Sequence, residues 1–154
     1  MGYTVRTALD ELGPKAQVIV AELVPAVVDW NREFLAELAG RPIDDQRVKV
    51  HEVDVAQMIK IPDGGYDAIM LDVDNGPEGL TLKRNDWLYS LKGLSTACDA
   101  LRPNGVLAVW SYAESSSFAD ALREVFEQVR VEPVIYNNRL IDQQRIDWLF
   151  FARG

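Results

Sequence analysis

Short apolar runs of strand length alternate along this chain with stretches of helical spacing, and that alternation leaves few architectures open. Gln17-Val-Ile-Val-Ala21 is nearly all apolar, and it, Arg47 to Val53 and Tyr66 to Leu71 are each only five to seven residues long. Such runs suit strands covered on both faces, and strands separated by helices suit a parallel sheet with crossover connections. The first helix is expected over Tyr3 to Leu12, stopped by Gly13-Pro14, where a residue tolerant of left-handed backbone precedes one that cannot continue the helix. Pro25 opens a second helix that carries Val28, Phe34, Leu35 and Leu38 inward and ends near Gly40. Further helices are expected over 55–61, 87–101 and 117–128, with a turn at Arg102-Pro-Asn-Gly105 leading into a strand that ends at Tyr112. Residues 129–136 and 147–152 then pair as an antiparallel hairpin across the polar loop 137–145.

A length of 154 residues fits one domain, 1–154, with one core. The net charge of −8 comes with basic residues scattered along the chain, so the concentrated Lys and Arg that phosphate binding requires are missing and no nucleic-acid partner is expected. No apolar run approaches the roughly 20 residues needed to span a bilayer, which sets aside a membrane role and makes the cytoplasm the expected address. Cys98 is the single cysteine and sits on an amphipathic stretch, where it reads as a packing residue. His51, the single histidine, has no Cys or His neighbour in its strand, so no metal site is expected. The same lack of a histidine leaves Ser115-Ser-Ser117 as a helix cap rather than a nucleophile.

The chemistry collects at strand ends. Three successive strands finish in an acid, namely Glu22, Asp54 and Asp72. In open α/β sheets ligands lie outside the carboxyl ends of the strands, so these groups are expected to face one crevice. Glu22 also falls 20 positions after Gly2, a spacing at which an acid beyond a glycine turn meets the hydroxyls of a ribose. Trp110 and Ser111 end a later strand and are expected to border the same pocket.

Met1-Gly-Tyr-Thr resembles the tail of the glycine-rich first motif of the spermidine synthase family, enzymes with the S-adenosylmethionine-dependent methyltransferase fold. Val20-Ala-Glu-Leu-Val-Pro25 is similar to the family's ribose-binding strand end, Val53-Asp-Val55 to its adenine-binding segment, and Tyr66 to Asp72 to the strand ending in its catalytic aspartate. Leu101-Arg-Pro-Asn-Gly-Val-Leu107 matches its turn into the fifth strand. The resemblance implies a Rossmann-like α/β fold, mostly parallel with helices on both faces, that lacks its first strand and so is truncated at the amino end. It implies Asp72 and Asp74 as catalytic groups and Gly2, Glu22, Leu23, Asp54, Val55 and Asp72 as cofactor contacts. On the same resemblance Asp74 and Glu78 add cation binding. The cofactor would be S-adenosylmethionine or its decarboxylated form, the partner a small amine such as putrescine, and the setting polyamine biosynthesis, with room for a homodimer. A methyltransferase, or an inactive association domain of the same fold, stands as the alternative. The segment Asp72-Val-Asp74-Asn-Gly-Pro77 is one residue tighter than the family pattern between its two aspartates, and the upstream hairpin domain of the family has no counterpart.

Overall fold

A computed structural model describes residues 2–60, 65–73, 76–79, 85–138 and 140–154. Contacts divide the chain into two compact units, Met1–Met58 and Ile59–Gly154.

The first unit opens with helix α1 (Tyr3–Glu11), whose Leu9 is buried at 2% exposure. Strand β1 (Val18–Glu22) and strand β2 (Val48–Glu52) run parallel in register from Val18↔Val48 to Glu22↔Glu52. Between them lies helix α2 (Pro25–Arg32), with Pro25 in its first turn and Val28 inward. Two short 3₁₀ turns follow, Ala36–Ala39 and Pro42–Asp44. The expected continuation of α2 toward Gly40 is broken at Glu33, whose φ of −105° and ψ of −109° lie outside the helical region. Phe34 and Leu38, expected inward, are therefore exposed at 66% and 55%. Arg47 ties this unit together. Its guanidinium donates to the carbonyls of Leu9 and Leu12, each at 3.0 Å, and to both oxygens of Asp45. The carbonyls at the end of α1 would otherwise lack partners. Helix α3 (Val55–Lys60) follows β2.

The second unit is built on a four-stranded sheet in the order β3-β4-β6-β5. Strand β3 (Tyr66–Leu71) is parallel to β4 (Leu101–Ser111), while β6 (Gln143–Arg153) is antiparallel to both β4 and β5 (Gln128–Asn138). The parallel pairs are those expected, but among the described residues they belong to two sheets rather than one. Helix α4 (Asp86–Tyr89) is separated from α5 (Leu91–Ala100) by Ser90, which takes over as the cap of α5 by accepting from the Gly93 amide. The turn expected at residues 102–105 is present as a bulge inside β4: the register jumps from Tyr66↔Leu101 to Ala68↔Val106, and Asn104 takes a φ of 68°. Helix α6 (Ser116–Val125) completes the cover. Leu94, Leu107, Val109, Leu122 and Phe150 are fully buried here. The rings of Tyr89, Phe118 and Phe150 meet edge-on in succession, at 5.6 and 5.1 Å between centroids.

Among the described residues no helix is long and apolar enough to cross a membrane.

Candidate functional site

In the first unit the parallel register carries Glu22 to the end of β1 and Asp54 to just beyond the end of β2. The backbone joins them there, because the Val53 amide donates to the Glu22 carbonyl at 3.0 Å. Each acid also folds back on the turn that follows it. Glu22 Oε1 accepts from the Val24 amide at 2.8 Å, and Asp54 Oδ1 accepts from the Ala56 amide at 2.9 Å. One oxygen of each carboxylate is thus spent on holding the side chain at its strand end. Leu23 beside Glu22 is exposed at 40%, and Val55 beside Asp54 is half-buried. Gly2 stands immediately before α1 with φ of 79°, and a Cβ there would meet Pro42 Cγ at 3.0 Å and Asn31 Oδ1 at 3.3 Å. Local packing is therefore a sufficient reason for a glycine at that position.

In the second unit Asp72 follows the last residue of β3 and is exposed. Since Leu71 is level with Val109, Asp72 is level with Trp110 at the end of β4. The Trp110 indole donates to Asp147 Oδ2 at 3.1 Å, so Trp110 is committed to the neighbouring strand β6. Ser111 is fully buried and donates to the Ala113 carbonyl, which removes it from the rim.

The segment after Asp72 is anchored by contacts that no sequence pattern announces. The Tyr89 hydroxyl donates to the Val73 carbonyl at 2.9 Å. Gly76, at φ of 85°, lies so close to Ser111 that a Cβ would come within 2.6 Å of its side chain. Glu78 Oε1 accepts the Ser115 hydroxyl proton. The sequence spacings of these two hydrogen bonds, 16 and 37 residues, place them beyond any local motif. Asp74 and Asn75 lie outside the described residues.

Ser115 is the cap of α6, accepting from the Phe118 amide at 3.2 Å, as the lack of a histidine partner implied. Cys98 is half-buried, and burial raises its thiol above the ordinary value. His51 is exposed on β2. Among the described residues no cluster of three or more His, Cys, Asp or Glu has the makings of a metal site.

Residues 11–133 match the family model of the spermine/spermidine synthase domain. The chain belongs to this family. Among curated relatives, a spermine synthase of Arabidopsis thaliana is 37% identical over 89 residues, covering 57% of this chain and 23% of the relative. A polyamine aminopropyltransferase of Mycobacterium tuberculosis is 31% identical over 111 residues, covering 70% of this chain and 20% of the relative. The spermidine synthase of Thermotoga maritima has a crystal structure that superposes with a TM-score of 0.76 at 18% identity, covering 99% of this chain and 50% of that one. This spermine/spermidine synthase domain therefore spans half or less of the length of each of these three proteins. Its α/β fold is that of solved spermidine synthases and methyltransferases.

Proposed function

We propose that the chain is the catalytic domain of an aminopropyltransferase, which moves an aminopropyl group from decarboxylated S-adenosylmethionine to a small amine such as putrescine. The observation that carries this reading is the span of the family match. Residues 11–133 take in all three acid-ended strands, so Glu22, Asp54 and Asp72 all stand inside it.

The donor chemistry of the first unit fits an adenosyl group. With Glu22 Oε1 held by the Val24 amide, Oε2 remains to accept from a pair of ribose hydroxyls. Asp54 is assigned the exocyclic amine of adenine, with Leu23 and Val55 as the apolar contacts and Gly2 as a close backbone approach. The sulfonium supplies an electrophilic carbon with a neutral thioether as leaving group. Asp72 attracts the cationic amine by its charge and accepts a proton from the attacking nitrogen at a carboxylate oxygen. The greater part of the rate comes from holding the amine in line, which is worth on the order of several kcal/mol.

The test uses the 154-residue chain. Calorimetry with methylthioadenosine measures the adenosyl site, and mass spectrometry identifies what is made from putrescine with each sulfonium compound. An aminopropylated amine supports the proposal, and a methylated one transfers the chain to the methyltransferases. Absence of both binding and product favours an inactive association domain.

A further inference from the structure

Glu78 is exposed, and an exposed glutamate gains little from a single fixed partner. Its carboxylate is nevertheless folded onto Ser115, a residue only 3% exposed. The partner is unusual in what it already does. Ser115 Oγ accepts from the Phe118 amide at 3.2 Å and so closes the first turn of α6; with its one proton donated to Glu78, it is the acceptor toward the Ser117 hydroxyl 3.2 Å away. The hydroxyl thereby couples the turn at residues 76–79 to a helix whose Phe118 and Leu122 are anchored in the core.

The turn itself is short and tied at both ends. Gly76 donates to the Val73 carbonyl at 3.3 Å and Gly79 to the Gly76 carbonyl at 3.2 Å. Val73 also receives the Tyr89 hydroxyl, and Gly76 is pressed against Ser111. Asp72 is the residue before Val73, so the backbone that aims Asp72 runs directly into this clasp.

We propose that Glu78 is a positioning residue: through Ser115 it fixes the turn behind Asp72 and so sets how well the amine is held for transfer. This rests on the aminopropyl-transfer reading given above. It assigns the hydrogen-bond acceptor, and not the negative charge, as the working property of Glu78.

That distinction gives the test. In the 154-residue chain Glu78→Ala removes the acceptor, whereas Glu78→Gln keeps a carbonyl oxygen for Ser115 and discards the charge. Glu78→Ala is expected to lower kcat/KM for putrescine about tenfold, a modest misplacement of aligned reactants, with methylthioadenosine affinity unchanged. Glu78→Gln is expected to restore most of the loss. Amide exchange gives a readout independent of turnover: the Gly76 and Gly79 amides should exchange about tenfold faster in Glu78→Ala and at the parental rate in Glu78→Gln. If Glu78→Gln is as impaired in transfer as Glu78→Ala, Glu78 binds the cationic amine directly and the proposal is overturned. Unchanged transfer and exchange in Glu78→Ala overturn it equally. Should the parental chain make no product, the transfer reading falls by itself, and exchange at Gly76 and Gly79 still decides whether the clasp exists.

Discussion

The Tyr89 hydroxyl meets the Val73 carbonyl one residue beyond Asp72, while the Tyr89 ring packs edge-on against Phe118. One side chain thus connects the aromatic core to the backbone that carries the candidate base. Tyr89→Phe keeps the ring and removes the hydrogen bond. We expect a stability loss of about 1 kcal/mol in denaturant titration, because the Val73 carbonyl forfeits this donor. Transfer to putrescine should fall as well, and a variant with full stability and full activity would show that this contact positions nothing.

Gly76 faces two obstacles to substitution, its φ of 85° and its approach to Ser111. Gly76→Ala should cost about 2–4 kcal/mol, combining left-handed backbone strain with overpacking. Adding Ser111→Gly should recover only the share of the packing cost that the Ser111 side chain imposes, leaving the Ser111 Cα at 2.7 Å from the new Cβ and the backbone strain. Thermal melts of the single and double variants separate the two, and a single variant as stable as the parent would contradict the close approach.

Acid should loosen the first unit through Asp45. The Arg47 guanidinium and the Arg47 amide hold the Asp45 carboxylate well below its ordinary value, to about 2. A depressed acid contributes stability that is fully present above its unfolded pKa of about 4. That contribution fades as pH falls toward about 2. The stability gap between the parent and Asp45→Asn is therefore expected to be constant above about pH 4 and to close below it. Urea melts across this window check the sign, since a gap that widens on acidification would mean that Asp45 is not the group held by Arg47.

Glu22 and Asp72 should separate by readout. Glu22→Ala is expected to weaken methylthioadenosine binding by about 1.5–3 kcal/mol, the worth of hydrogen bonds to a charged acceptor, as measured by calorimetry. Asp72→Asn should leave that affinity intact and lower amine transfer about 10²-fold or more. A loss of cofactor affinity in Asp72→Asn would place Asp72 in binding rather than in proton transfer.

The strands were legible because each is a run of five or six residues, rich in β-branched or other apolar side chains, that stops at or just before an acid. Their length and composition alone distinguish them from helices. Where periodicity ran on through a break, it misled. The pattern over 87–101 reads as one helix, yet Ser90 caps a new helix instead of continuing the old one. Polarity misled in the other direction: residues 137–145 read as a loop, but Tyr136↔Arg145, Asn137↔Gln144 and Asn138↔Gln143 extend the β5–β6 hairpin into solvent, where polar cross-strand pairs suffice. Of the candidate site, what was legible is the placing of Glu22, Asp54 and Asp72 at or just beyond strand ends, because topology puts them there. The anchors Tyr89 and Ser115 were not, since each acts on a residue far away in sequence and its type is as well explained by core packing or capping.

The strand order β3-β4-β6-β5 has a consequence for synthesis on the ribosome. Strand β5 emerges before β6 but lies outside it, so when β5 is complete its eventual neighbour does not yet exist. Phe150 and Ala152, both on β6, fill the space beside Val109 and Leu107. The nascent second unit must therefore keep the β4 edge open until β6 has cleared the exit tunnel. Because β5 and β6 are joined by a tight hairpin, the two strands can then dock together as a preformed pair, the local contact forming before the distant one.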